Sequence, residues 1–143
     1  MNHNRVPIRY PSGKAIAFLT KVLSLSSNWL QDWPLEISDG KRVGEFCDFY
    51  ERARLDENTR FALMELILFS LEICEEQERW EPRVESLLCQ DFVLHLHRVN
   101  YWRCVDVSDP AEGFPITPMC RRVWKKCFKR EYVRWYDKEL DEW

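Results

Sequence analysis

A chain of 143 residues with 45% hydrophobic and 31% charged side chains and only four glycines can bury roughly 70% of the surface its unfolded form exposes, which excludes the disordered and low-complexity classes. Its net charge of −3 excludes an overall polycation of the kind that coats nucleic acid. Seven Trp, eight Phe and five Tyr supply large apolar areas for a core or an interface, with room for a homodimer.

The opening MNHNRVPIRYPSGK has no apolar run after its charges, so no secretory signal is expected and the predicted location is cytoplasmic. Six cysteines without clustered spacing are then expected to be reduced thiols. Pro7 and Pro11 lack amide donors and push their predecessors toward extended geometry, which predicts an irregular arm over 1–12 ahead of a single helical domain over 13–143. Ser12 is placed to cap a first helix, with Ala15, Ile16, Phe18, Leu19, Val22, Leu23, Leu25 and Leu30 on its apolar face and Pro34 ending it just after Trp33.

Val43, Phe46, Cys47 and Tyr50 fall at i, i+3, i+4 and i+7, the stripe of a short amphipathic helix. Asp56 is placed to cap the next, over 57–77, which is apolar on nearly every side and so belongs at the centre of the fold. Its most apolar stretch, residues 61–74, is too short to span a membrane and is interrupted by Glu65 and Glu72. Pro82 suits the first turn of a fourth helix, whose stripe Leu88, Phe92, Leu96, Val99 runs on past His95 and His97. The alternation of Val93, His95, His97, Val99 and Tyr101 offers a strand instead, but no turn signal separates this stretch from the helical residues before it. A loop over 104–116 is marked by Asp109-Pro110 and Gly113, and Thr117-Pro118 opens the last helix with a capping hydroxyl and a first-turn proline. The predicted fold is all-α, a bundle of about five helices.

That last helix concentrates the charge. Residues 117–136 hold seven Lys or Arg against the single Glu131, a net +6, while the remainder of the chain carries −9. Arg121, Arg122, Lys125, Lys126, Lys129, Arg130 and Arg134 crowd one face, and Cys120, Val123, Trp124, Cys127, Phe128 and Trp135 the other. The acidic run over 72–85 is a candidate internal partner for that basic face, which is otherwise solvated or reserved for an acidic partner. Tyr101, Trp102 and Phe114, around the long loop, are of the residue type that anchors interfaces or plugs the end of a bundle.

Neither chemistry nor a cofactor is called for. His95 and His97, two apart, diverge on a helix, and the cysteines show no metal-ligand spacing. Cys89 and His97 lie about 12 Å apart along a helix, too far for a nucleophile and its base. The expected function is binding of another protein, as an inhibitor or immunity-type protein does, without catalysis. Arg122, Lys125, Lys126, Lys129, Arg130, Tyr101, Trp102 and Phe114 are the expected contacts. The alternatives are a nucleic-acid-binding regulator using the same cations on phosphates, and a metal protein or enzyme centred on His95.

Overall fold

A computed structural model describes residues 6, 8–25, 33–34, 37–130 and 132. Among them lie six α-helices and two 3-10 turns, with no strand, so the fold is all-α. The chain divides into two compact units, one over Tyr10–Val84 and the other made of the segment before Tyr10 and everything from Glu85 onward. Among the described residues no helix is long and apolar enough to cross a membrane.

The unit over Tyr10–Val84 is organised by its third helix. Helix α1 (Gly13–Val22) begins as expected, the Ser12 hydroxyl accepting the Ala15 amide at 3.1 Å. It ends eleven residues before Trp33. Ser24 adopts a left-handed φ of 53°, the Leu25 amide donates back to the Thr20 carbonyl at 2.9 Å and the Ser24 amide to that of Lys21, a Schellman closure with serine where glycine is usual. Leu30 lies outside the described residues, and Phe18 and Val22 of the expected apolar face are exposed.

Helix α2 (Val43–Arg52) follows a 3-10 turn at Gly40–Arg42 and buries Val43, Phe46, Cys47 and Tyr50, the stripe read from the sequence. Helix α3 (Glu57–Glu72) is capped by Asp56, whose carboxylate accepts the Thr59 amide at 2.8 Å. Eleven of its sixteen residues are buried, and α1 and α2 both pack on it. It stops five residues short of the expected end.

Helix α4 (Gln77–Gln90) contributes its first residues to this unit. Pro82 lies inside the helix rather than in its first turn. The earlier start is fixed by side chains the proline signal does not report: Gln77 donates to the Leu71 carbonyl at 3.1 Å, and Trp80 packs over Gly44 of α2 so closely that a Cβ there would sit 2.4 Å from the indole. Arg83 bridges to Asp48 and Glu51 of α2 at 2.7 and 2.9 Å.

In the second unit the Leu88–Phe92–Leu96–Val99 stripe is buried as expected, but not on one helix. Turns over 91–95 separate α4 from α5 (Leu96–Trp102), which raises the helix count from the expected five to six. Helix α6 (Thr117–Cys127) packs on α5 and buries Met119, Cys120 and Val123. Thr117 does not cap it. The residue is buried, and its hydroxyl accepts the Phe114 amide at 2.8 Å and donates to the Trp102 carbonyl at 2.7 Å, closing the loop rather than the helix. Phe128 turns extended, with φ −68° and ψ 134°, so α6 ends far short of Trp135, which lies outside the described residues.

Candidate functional site: a basic notch beside helix α6

The amphipathicity of α6 is real, but its cations have separate roles. Arg121 is a clip. Its Nε donates to the Arg103 carbonyl at 2.8 Å, its Nη2 to those of Cys104 and Val107 at 2.7 Å each, and its Nη1 to that of Ser108 at 3.3 Å. Four main-chain carbonyls of one loop thus converge on a single guanidinium, whose fork of five N–H donors can serve them together. The loop is bent to suit: Cys104 holds a left-handed φ of 52°.

Arg122 and Lys126 face the other way, to Glu85, at 3.0 and 3.4 Å. The Glu85 side chain is only 15% exposed, so this three-membered pair is the internal partner that the charge split suggested, met by the last member of the acidic run. Lys125, Lys129 and Arg130 are exposed and make no ion pair among the described residues. Lys129 and Arg130 come after the break at Phe128, so they extend the basic surface without continuing the helix. Arg134 lies outside the described residues.

Between α6 and the clipped loop is an open notch of about 390 Å³, lined by Arg103, Val105, Val107, Arg121, Trp124 and Lys125. Arg103 is 9% exposed and lies over the Trp124 ring, its Cζ 3.7 Å from the centroid, while Nε and Nη2 donate to Asn100 Oδ1 at 3.0 and 2.8 Å. Burial, and after it the charge of Arg121, pulls the Arg103 guanidinium down to about 10. It remains charged at neutral pH. Trp124 is held in turn by Phe128, stacked at 4.2 Å, and by the edge of Phe92 at 5.9 Å.

The aromatic trio around the loop divides. Trp102 is 3% exposed and meets Phe114 edge-on at 4.8 Å, so it plugs the unit instead of facing a partner. Tyr101 is 51% exposed and stacks on half-buried Phe114 at 5.8 Å, which keeps these two at the surface. The loop acids serve the loop itself: Asp109 accepts the Ala111 amide at 3.0 Å and Asp106 the Cys104 thiol at 3.4 Å.

The histidines part company. His95 is fully buried, and His97 Nδ1 lies 3.1 Å from the Arg9 amide nitrogen and 3.0 Å from the Arg9 carbonyl oxygen. A neutral Nδ1 accepts from that amide, whereas a protonated one donates to that carbonyl. Among the described residues no group of three or more His, Cys, Asp or Glu is placed to hold a metal ion. All six cysteines are free. Burial pushes the Cys47 thiol up to about 12, and burial together with a hydrogen bond to Cys127 pushes Cys89 up to about 11.

Of the eight expected contacts, the structure brings Lys125 to the notch, leaves Lys129 and Arg130 exposed, pairs Arg122 and Lys126 with Glu85, keeps Tyr101 and Phe114 together at the surface and hides Trp102. The residues that build the notch beside Lys125, namely Arg103, Arg121 and Trp124, are not among the expected contacts. The sequence places Arg121 on the basic face without distinguishing it from the other cations, because main-chain carbonyls, its real partners, leave no trace in side-chain pattern. The chain matches no protein-family model, no curated protein and no solved structure.

Proposed function

We propose that this protein works by binding another protein, without chemistry of its own, and that the partner presents an acidic surface to Lys125, Lys129 and Arg130. The observation that supports this most is the separation of roles along the basic segment. Arg121, and Arg122 and Lys126 with Glu85, are engaged within their own unit, whereas Lys125 at the notch and Lys129 and Arg130 after the break at Phe128 are exposed and make no ion pair among the described residues. Exposed cations of this kind orient an encounter and raise its rate, and the Tyr101–Phe114 pair offers apolar area for affinity.

A second reading has its own support. Glu75, Glu76 and Glu78 are exposed, so the acidic run is open to a basic partner, as an inhibitor that masks a basic protein requires. One experiment separates the two. Partner capture from cell extract with the wild type, a Lys125→Glu/Lys129→Glu/Arg130→Glu variant and a Glu75→Lys/Glu76→Lys/Glu78→Lys variant is followed by measurement of the affinity of each captured protein at low and high salt. The first reading expects an acidic partner lost with the first variant and retained by the second. A captured protein that binds all three equally removes both readings.

A further inference from the structure

Cys89 and Cys127 are hydrogen-bonded to each other within the unit that holds α6. Contacts on both sides fix that approach. One turn before Cys89, Glu85 pairs with Arg122 and Lys126 at 3.0 and 3.4 Å, and three residues after it Phe92 meets Trp124 edge-on at 5.9 Å. Lys126 adjoins Cys127 in the chain and Trp124 lies three residues before it, so the two thiols lie between an ionic clamp and an aromatic one. Each thiol also stands where its helix ends: Cys89 is the penultimate residue of α4, and Cys127 is the last of α6, ahead of the extended Phe128. The final turn of a helix leaves carbonyls without intrahelical partners and shifts most readily, so the sulfurs can close to the about 2 Å of a disulfide without disturbing either helix body. Both are half-buried and within reach of a small oxidant, whereas Cys47 and Cys120 are buried.

Two sulfurs held together have a chemistry that neither has alone. One sulfur attacks an oxygen of a peroxide and the O–O bond breaks, which leaves a sulfenic acid and releases water. The second sulfur then attacks the first, the S–O bond breaks, and the departing hydroxide leaves as water with the proton of the second thiol. Two electrons pass from the thiol pair to the peroxide. Proximity makes the second attack intramolecular, so it precedes the arrival of another thiol or a second peroxide from solution. We infer that Cys89 and Cys127 form a reversible oxidation site that closes to a disulfide under peroxide and ties the end of α4 to the end of α6. Helix α5, the loop held by Arg121 and the whole of α6 then lie in one covalent ring, and the chain freedom lost from the unfolded state stabilises this unit. The site does not depend on the acidic-partner reading.

The test exposes the reduced full chain to graded hydrogen peroxide, alkylates the remaining thiols and maps the peptides by mass spectrometry. The expected first product is a Cys89–Cys127 cross-link within one chain, with both thiols lost to alkylation and restored by dithiothreitol. Hydrogen exchange in α5 and α6 should slow at least about tenfold on bridging. Cys89→Ser and Cys127→Ser should each abolish the cross-link and drive the surviving thiol on to sulfinic acid at the same dose. The wild type carries the decisive reading, so the test stands even where a variant fails to fold. Other cysteine pairs bridged first, links between chains, or sulfinic acid on the wild type ahead of any cross-link overturn the site, and unchanged exchange after bridging overturns the tie between the helices. Loss of the acidic partner with an intact peroxide-driven bridge breaks the functional reading and leaves this one standing.

Discussion

Helix α3 and the loop over 104–116 are held by opposite means. The helix buries eleven of its sixteen residues and is held by the bulk of its apolar surface, to which many side chains each contribute. The loop leaves Val105, Asp106, Ser108, Asp109, Ala111 and Glu112 exposed, and its shape comes from directional bonds to Arg121 and Thr117. A structure of the first kind absorbs small changes anywhere and fails as a whole. One of the second kind tolerates changes in many of its own side chains, those of Asp106 and Asp109 with their bonds inside the loop excepted, yet depends on two residues outside its exposed stretch.

The comparison can be broken at its strongest point first. Leu66→Ala removes a fully buried side chain of α3 and should cost about 2–5 kcal/mol in chemical denaturation, with the loss shared by every probe of the Tyr10–Val84 unit. A cost below about 1 kcal/mol would mean that α3 is not close-packed. Arg121→Gln should come next, at about 1.5–3 kcal/mol for the lost charged hydrogen bonds, and should be local. Hydrogen exchange should quicken at amides 104–108 while those of α3 keep their protection. Uniform acceleration through both regions would show that the loop is not separately held.

The pH dependence supplies a smaller effect. Burial holds the His97 imidazole below its ordinary value, although the bond with Arg9 works the other way, so the folded state keeps this ring neutral where the unfolded chain has begun to bind a proton. The associated stability is complete above about pH 6.5, the unfolded value, and is lost as pH falls from there through the lower folded value. His97→Gln should flatten that decline in urea midpoints measured between pH 7.5 and 5; an unchanged decline assigns it to other groups. The smallest effect belongs to Lys125→Glu/Lys129→Glu/Arg130→Glu, which should alter stability by less than about 0.5 kcal/mol, because exposed cations outside an ion pair contribute little to the fold.

Much of the helical framework was legible in the sequence where one local rule met no competitor. The Val43–Phe46–Cys47–Tyr50 stripe and the caps at Ser12 and Asp56 appear as expected, since periodicity and a short oxygen-bearing side chain each act within one helical turn. Helix ends were less legible. Ser24 takes a left-handed conformation that composition assigns to glycine, and the hydroxyl of Thr117 is claimed by the Trp102 carbonyl and the Phe114 amide before it can cap α6. Pro82 shows the same limit, because Trp80 over Gly44 and Gln77 on Leu71 extend α4 ahead of it.

Of the candidate site, the charges could be read and their division of labour could not. Seven cations at helical spacing suggest one face. Which of them clips a loop, pairs with Glu85 or stays exposed depends on neighbours distant in sequence, and on main-chain atoms that every residue type shares. Trp102 and Tyr101 are adjacent and chemically alike, yet one is hidden and the other exposed, because α5 buries one face, that of Leu96, Val99 and Trp102, and leaves Tyr101 off it.

The bonds from Arg121 reach the loop only through carbonyl oxygens, which are the same whatever side chain stands at residues 103, 104, 107 or 108. The loop's form is therefore uncoupled from much of its text. Mutation could rewrite its exposed positions, and with them the chemistry presented to a partner, while one arginine keeps the main chain on its course. Such a loop is a place where new binding preferences can arise without first having to solve the folding problem again.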